Sequence, residues 1–208
     1  MENLARGARP VRWIGLLGIG ALLVGCASPP HNPDDACAIF SEKRSWYRAA
    51  KRSTERWGVP EAVQLAIIHQ ESSFRSDARP PRTRILWIFP GPRPSSAYGY
   101  GQVLDETWAR YQRATGNGGA DRDDFGDVAD FIGWYGQHIH RRTGIAKDDA
   151  SKLYLAYHEG PGGYLRGTHK SKRWLLSAAR QVDSRAMLYR VQVGSCRKRL
   201  ERRWYWPF

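Results

Sequence analysis

Apolar positions along this chain recur mostly at helical spacing, and the elements they predict are mainly α-helices. From about Ala36 to Trp57, Phe40, Tyr47, Ala50, Thr54 and Trp57 share one face while Lys and Arg fill the other. Gly58 closes this helix, and Pro60, as first helical residue, opens a second that runs to about Gln70 through Leu65-Ala66-Ile67-Ile68. Residues 77–96 carry Pro80, Pro81, Pro90, Pro92 and Pro94, a density that no regular helix survives. In their middle, Ile85-Leu86-Trp87-Ile88-Phe89 is too apolar for a floppy loop. It reads either as an ordered flap beside a cleft or as a patch on the core. A third helix starts with Asp105 as N-cap and ends near Gly116; a fourth spans Asp127 to about Thr143, with Phe131, Tyr135 and Ile139 on one face and Gly144 as its stop. A fifth runs from about Asp148 to Tyr157 and ends in the turn Gly160-Pro161-Gly162. The last apolar face, from Trp174 through Tyr189, Val193, Cys196 and Leu200 to Trp204, fits one long helix or two broken near Asp183. No run alternates with period two and no repeat is visible, so residues 37–208 read as one mainly α domain.

The N-terminus changes the setting. Arg6, Arg9 and Arg12 precede an apolar segment from about Trp13 to Val24, shorter than the roughly 20 residues of a comfortable membrane span. A basic start, a short apolar stretch and small residues at its end describe a secretory signal. Its end, Leu23-Val24-Gly25-Cys26, resembles the lipobox of bacterial lipoproteins. That resemblance implies a signal peptide over residues 1–25, a lipid on Cys26 and a proline-rich tether over 26–36. Ala27-Ser28 carries no acidic retention signal, so the expected address is the periplasm, anchored to the outer membrane in preference to the inner.

Composition matters only once that address is in view. A net charge of +13 attracts nucleic acid, anionic lipid or a polyanionic matrix alike. Export argues against nucleic acid and leaves anionic lipid and a polyanionic matrix. With Cys26 taken by lipid, Cys37 and Cys196 remain in an oxidising compartment, where an even remainder pairs; a disulfide between them would dock the first helix on the last. The basic, aromatic end, Arg197 to Trp206, reads as a solvated helix side with aromatics packed beneath, or as a lipid contact.

Three stretches carry candidate chemistry. Glu71 follows an apolar helix, and a carboxyl group held half out of water there has its charged form disfavoured, as a general acid requires. Gly99-Tyr100-Gly101-Gln102, entering a helix, lets backbone approach a ligand, with the Gln102 amide as donor and acceptor. Ala156-Tyr157 before Gly160-Pro161-Gly162 can hold a tyrosine at a site.

In this order the three resemble the soluble-lytic-transglycosylase domain, a lysozyme-like family that cleaves peptidoglycan. Its pattern of Glu-Ser-x-Phe, Gly-Leu-Met-Gln with a Thr five residues on, and Ala-Tyr-Asn-Ala-Gly-Pro-Gly appears here as Glu71-Ser72-Ser73-Phe74, Gly99 to Gln102 with Thr107, and Ala156 to Gly162. The resemblance covers roughly residues 55–193. It implies a lysozyme-like helical fold, peptidoglycan strands as partner and Glu71 as acid and then base, with a 1,6-anhydromuramoyl product. It also implies Gln102 on sugar hydroxyls, Tyr157 near Glu71 or the substrate acetamido group, Tyr100 and Gly101 at the substrate, and Ser96 either binding substrate or supporting Glu71. Phe74 is read as core. No cofactor is implied, and His69 and His158 lack the companions of a metal site. Two positions depart from the pattern: Tyr100-Gly101 replaces Leu-Met, and His158-Glu159 replaces Asn-Ala. Glu159 is expected to point outward against a Lys or Arg. Pointing into the cleft, it would give a second carboxylate and favour the competing reading, a lysozyme-type hydrolase. A non-catalytic peptidoglycan-binding lipoprotein is the other alternative.

Overall fold

A computed structural model describes residues 28–85 and 89–202. The signal segment, Cys26 and the aromatic end at 203–208 lie outside the described residues, as does the flap's centre, 86–88. The described chain forms seven α-helices: α1 (Ala36–Glu42), α2 (Arg44–Trp57), α3 (Glu61–Ser72), α4 (Asp105–Thr115), α5 (Phe125–Thr143), α6 (Ala150–Arg166) and α7 (Arg173–Glu201). The domain is mainly α, as the sequence predicts. Its boundaries differ in ways that have local causes.

The single first helix is two. Asp35 caps α1 by accepting from the Cys37 and Ala38 amides, and the chain leaves helical geometry at Lys43 (φ −112°, ψ 69°) before α2 begins. The break lets α1 lie on α7 while α2 packs along α5. Pro60 is the extended N-cap residue of α3, one position ahead of its first turn. Asp105 is not the N-cap of α4: Leu104 is, and Asp105 instead pairs with Arg122 at 2.7 Å. Asp124 caps α5 by accepting from the Asp127 amide. Gly58, Gly116 and Gly144 end their helices in the left-handed conformation, as expected of C-caps. The last apolar face forms one helix, unbroken at Asp183.

At the centre lies α3. Ala62, Val63, Leu65, Ala66, Ile67 and Ile68 are all buried, as are Glu61 and Gln64, so this helix is enclosed on nearly every side. It is wrapped by α7 and α2 and touched by α5. Enclosure of that kind orients its last turn, and with it Glu71, without help from solvent contacts. The Cys37–Cys196 disulfide forms, with Cα atoms 6.1 Å apart, and ties α1 to the far part of α7. Phe74 is fully buried against Trp46, as core.

The proline-rich segment is ordered at its base. Arg84–Ile85 and Phe89–Pro90 pair antiparallel, and Gly91 donates to the Thr83 carbonyl below them. Both stems of this flap reach the cleft described next.

Candidate active site

A cleft of about 630 Å³ opens at the end of α3, lined by Glu71, Gln102, Thr107, Phe131, Tyr157 and Glu159 among others, with Pro80 and Ser95 from the flap stems. It thus gathers the three stretches that carry the sequence resemblance.

Glu71 sits in the last turn of α3. Burial pushes its carboxyl from the ordinary 4.5 up to about 7, against the weaker opposing influence of the Tyr154 hydroxyl, which faces it and favours the charged form. No salt bridge reaches it among the described residues. A carboxyl that is protonated near neutrality and opens on a cleft can deliver a proton.

Tyr154 was missed by sequence reasoning, although it lies one helical turn before Tyr157 on α6, the spacing that puts two side chains on one face. Burial and the neighbouring Glu71 charge hold its hydroxyl protonated far above the usual phenol range. Tyr157 is raised for the same two reasons, with Tyr135 and Tyr154 adding to the effect. The Tyr157 hydroxyl donates to the Gly101 carbonyl at 2.7 Å, which ties α6 to the glycine loop across the cleft. Tyr135 and Phe131, expected only as the apolar face of α5, line the cleft and pack against Tyr157 at centroid distances of 5.7 and 6.2 Å. Their helical periodicity was legible; their facing a cleft was not.

The glycine loop is built by close backbone contact. A Cβ on Gly99, at φ +75°, would lie 1.9 Å from the Arg122 carbonyl oxygen, and the Tyr100 amide donates to that same oxygen. Gln102 takes a positive φ of 48°, and its amide nitrogen donates to the Ala78 and Gly99 carbonyls at 2.8 and 3.0 Å. Its N–H groups therefore hold the loop closed, which leaves the carbonyl oxygen as the end that can accept from a ligand in the cleft. Tyr100 does not line the cleft. It is 1 % exposed, packed among Trp46 and Phe125, because the flanking turn directs its ring into the core. Ser96 does not line the cleft either: its hydroxyl accepts from the amide of Asp105, the first residue of α4.

The Gly160-Pro161-Gly162 stretch does not end α6. Gly160 (φ 70°, ψ 158°) breaks the helix for one residue, in a conformation a side chain disfavours, and Pro161 restarts it as a first-turn residue. This kink fixes Glu159, which points inward with its side chain 5 % exposed. Burial alone would raise its pKa, but hydrogen bonds from Lys172 (2.7 Å), the Thr168 hydroxyl and His158 outweigh it and hold the carboxyl down at about 2. Lys172 and His158 share one carboxylate oxygen and Thr168 takes the other. The expected cationic partner is present, then, but the expected outward orientation is not.

Two carboxyls thus border one cleft with opposite tendencies, Glu71 protonated near neutrality and Glu159 ionised and clamped. No curated protein matches the chain significantly. A family model described as the transglycosylase SLT domain matches residues 14–196 and so spans all three stretches and every helix that builds the cleft. The chain belongs to the transglycosylase SLT domain family.

Proposed function

We propose that this protein is a peptidoglycan lytic transglycosylase that cleaves the β-1,4 bond between N-acetylmuramic acid and N-acetylglucosamine. Family membership supports transglycosylase chemistry on peptidoglycan, and the finer reading rests on one observation: a half-buried Glu71 raised to about 7 by burial, facing the cleft. Protonated Glu71 donates to the glycosidic oxygen as the C1–O bond breaks, and the substrate's own acetamido oxygen bonds to C1. The resulting Glu71 carboxylate takes the proton from the muramoyl O6 hydroxyl. O6 then attacks C1, the acetamido oxygen departs, and a 1,6-anhydro ring closes. Glu71 is left protonated again, and no water is consumed.

Tyr154 faces Glu71 and favours its charged form, which steadies the carboxylate between the two proton transfers. Phe131 and Tyr135 give the cleft an apolar wall beside Tyr157, and holding back water there would favour intramolecular closure over hydrolysis. The hydrolase reading needs a second carboxylate free to activate water. Both oxygens of Glu159 are already engaged by Lys172, His158 and Thr168, which supports the transglycosylase instead.

Glu71→Gln keeps the side chain's shape but removes its proton. Clearing of purified sacculi should fall by about 10²–10⁴-fold while glycan binding and helical content persist. Clearing near the wild-type rate would remove Glu71 from the mechanism.

A further inference from the structure

His158-Glu159, where the family pattern has Asn-Ala, does more than line the cleft. Trp174 in the first turn of α7 is 59 % exposed. Among the described residues outside the flap ladder, it is the one exposed tryptophan, tyrosine or phenylalanine. It stands 5.0 Å from the His158 ring, centroid to centroid, at an interplanar angle of 77°, and His158 itself borders the cleft. This exposed indole therefore adjoins the cleft through His158.

Its position is fixed by the same clamp that holds Glu159. Lys172, the N-cap residue of α7 and two residues before Trp174, bonds Glu159 at 2.7 Å. His158 bonds the same carboxylate oxygen at 3.1 Å. One buried carboxylate thus fastens both rings, each within two residues of a group it holds, and ties the start of α7 to the kink of α6. An exposed indole braced in this way loses little conformational freedom when something settles on it.

We propose that Trp174, braced by His158, forms an aromatic platform that extends the cleft and stacks a further N-acetylhexosamine ring of the glycan strand. The axial C–H bonds of a β-linked sugar present a weakly positive, apolar face, which complements the negative π face of an indole. The ring's hydroxyls and acetamido group remain toward water. This inference rests on the peptidoglycan reading above, and it adds a length preference that the reading does not contain: strands reaching past the cleft bind better than fragments confined to it.

The test uses the full-length protein carrying Glu71→Gln, with chitobiose and chitohexaose as uncleaved probes, followed by isothermal titration calorimetry. Adding Trp174→Ala should weaken chitohexaose binding roughly three- to ten-fold, leave chitobiose binding unchanged and leave thermal unfolding unchanged. Trp174→Phe should restore most of the loss, because it keeps a π face. Equal chitohexaose affinities with and without Trp174 would overturn the platform while leaving the peptidoglycan reading intact. Absence of chitohexaose binding to the Glu71→Gln parent would overturn that reading, and the platform with it. Equal weakening of both probes would mean that Trp174 shapes the cleft itself, and the length preference would be wrong.

Discussion

Replacing Glu71 by glutamine should stabilise the folded protein only above about pH 4.5, with the full effect reached above pH 7. The carboxyl titrates at about 7 when folded and at 4.5 when solvated, and burial is the main cause. Between those values the unfolded chain has lost this proton while the folded chain keeps it, so stability falls as pH rises through the window. Above pH 7 the loss is complete, and a shift of that size corresponds to about 3 kcal/mol. Below pH 4.5 both states are protonated and the contribution is fully retained. Glutamine has the shape of the protonated acid and no charge to desolvate. The variant should therefore match the wild type at pH 4 and exceed it by about 3 kcal/mol at pH 8.5. For a domain of this size the difference amounts to roughly 6–12 °C in melting temperature. Differential scanning fluorimetry of both proteins across pH 4–9 reads it directly, since every other titrating group is common to the pair. The same ionisation predicts that cleavage declines above about pH 7, as the acid form is depleted. A stability difference that does not change with pH would refute the assignment of a desolvated, protonated Glu71.

Two further outcomes follow from the α6 kink and the chain ends. Glu159→Gln should destabilise the fold by about 1–3 kcal/mol at pH 7, because Lys172 loses its charged partner. Glu159 is depressed to about 2, so its contribution is present above pH 4.5 and lost as pH falls toward 2; urea titrations at pH 7 and pH 3 should show the gap between variant and wild type narrowing. The Cys37–Cys196 bridge closes a loop across a sequence separation of 159 residues, which on a chain-entropy account stabilises by up to about 5 kcal/mol. Unreduced, denatured protein should take up no thiol label at either cysteine, and reduction should lower the urea midpoint; label on both without reductant would mean that no bridge forms.

Much of the fold was legible because the signals were strong and local. Helical periodicity located α2, α5 and α7, and αL glycines at 58, 116 and 144 marked the ends of α2, α4 and α5. The disulfide followed from counting cysteines and was met by the docking of α1 on α7. What escaped depended on contacts distant in sequence. The break at Lys43 reflects which partners α1 and α2 pack on. The helical restart after Gly160 needs Pro161 to be read as a beginning rather than an end. At the site, Glu71, Gln102 and Tyr157 are brought together at one cleft, with Gln102 holding the loop through its amide, while Gly101 does not line the cleft and instead accepts from the Tyr157 hydroxyl. Tyr100 and Ser96 were misplaced because a motif position does not reveal which way a turn directs its side chain. Tyr154 was visible in principle, one turn from Tyr157, but only the structure shows that Glu71 lies beneath it.

The central claim is that one carboxyl acts as acid and then base, with no water in the reaction. Sacculi digested by the purified protein and resolved by liquid chromatography with mass spectrometry test this most directly, since the anhydro and hydrated products differ by one water. Glycan ends that are overwhelmingly 1,6-anhydromuramoyl are the result predicted from a lone protonated Glu71 beside a clamped Glu159. Mostly reducing ends would contradict it, assign the protein to the hydrolases, and make Glu159 a participant in activating water.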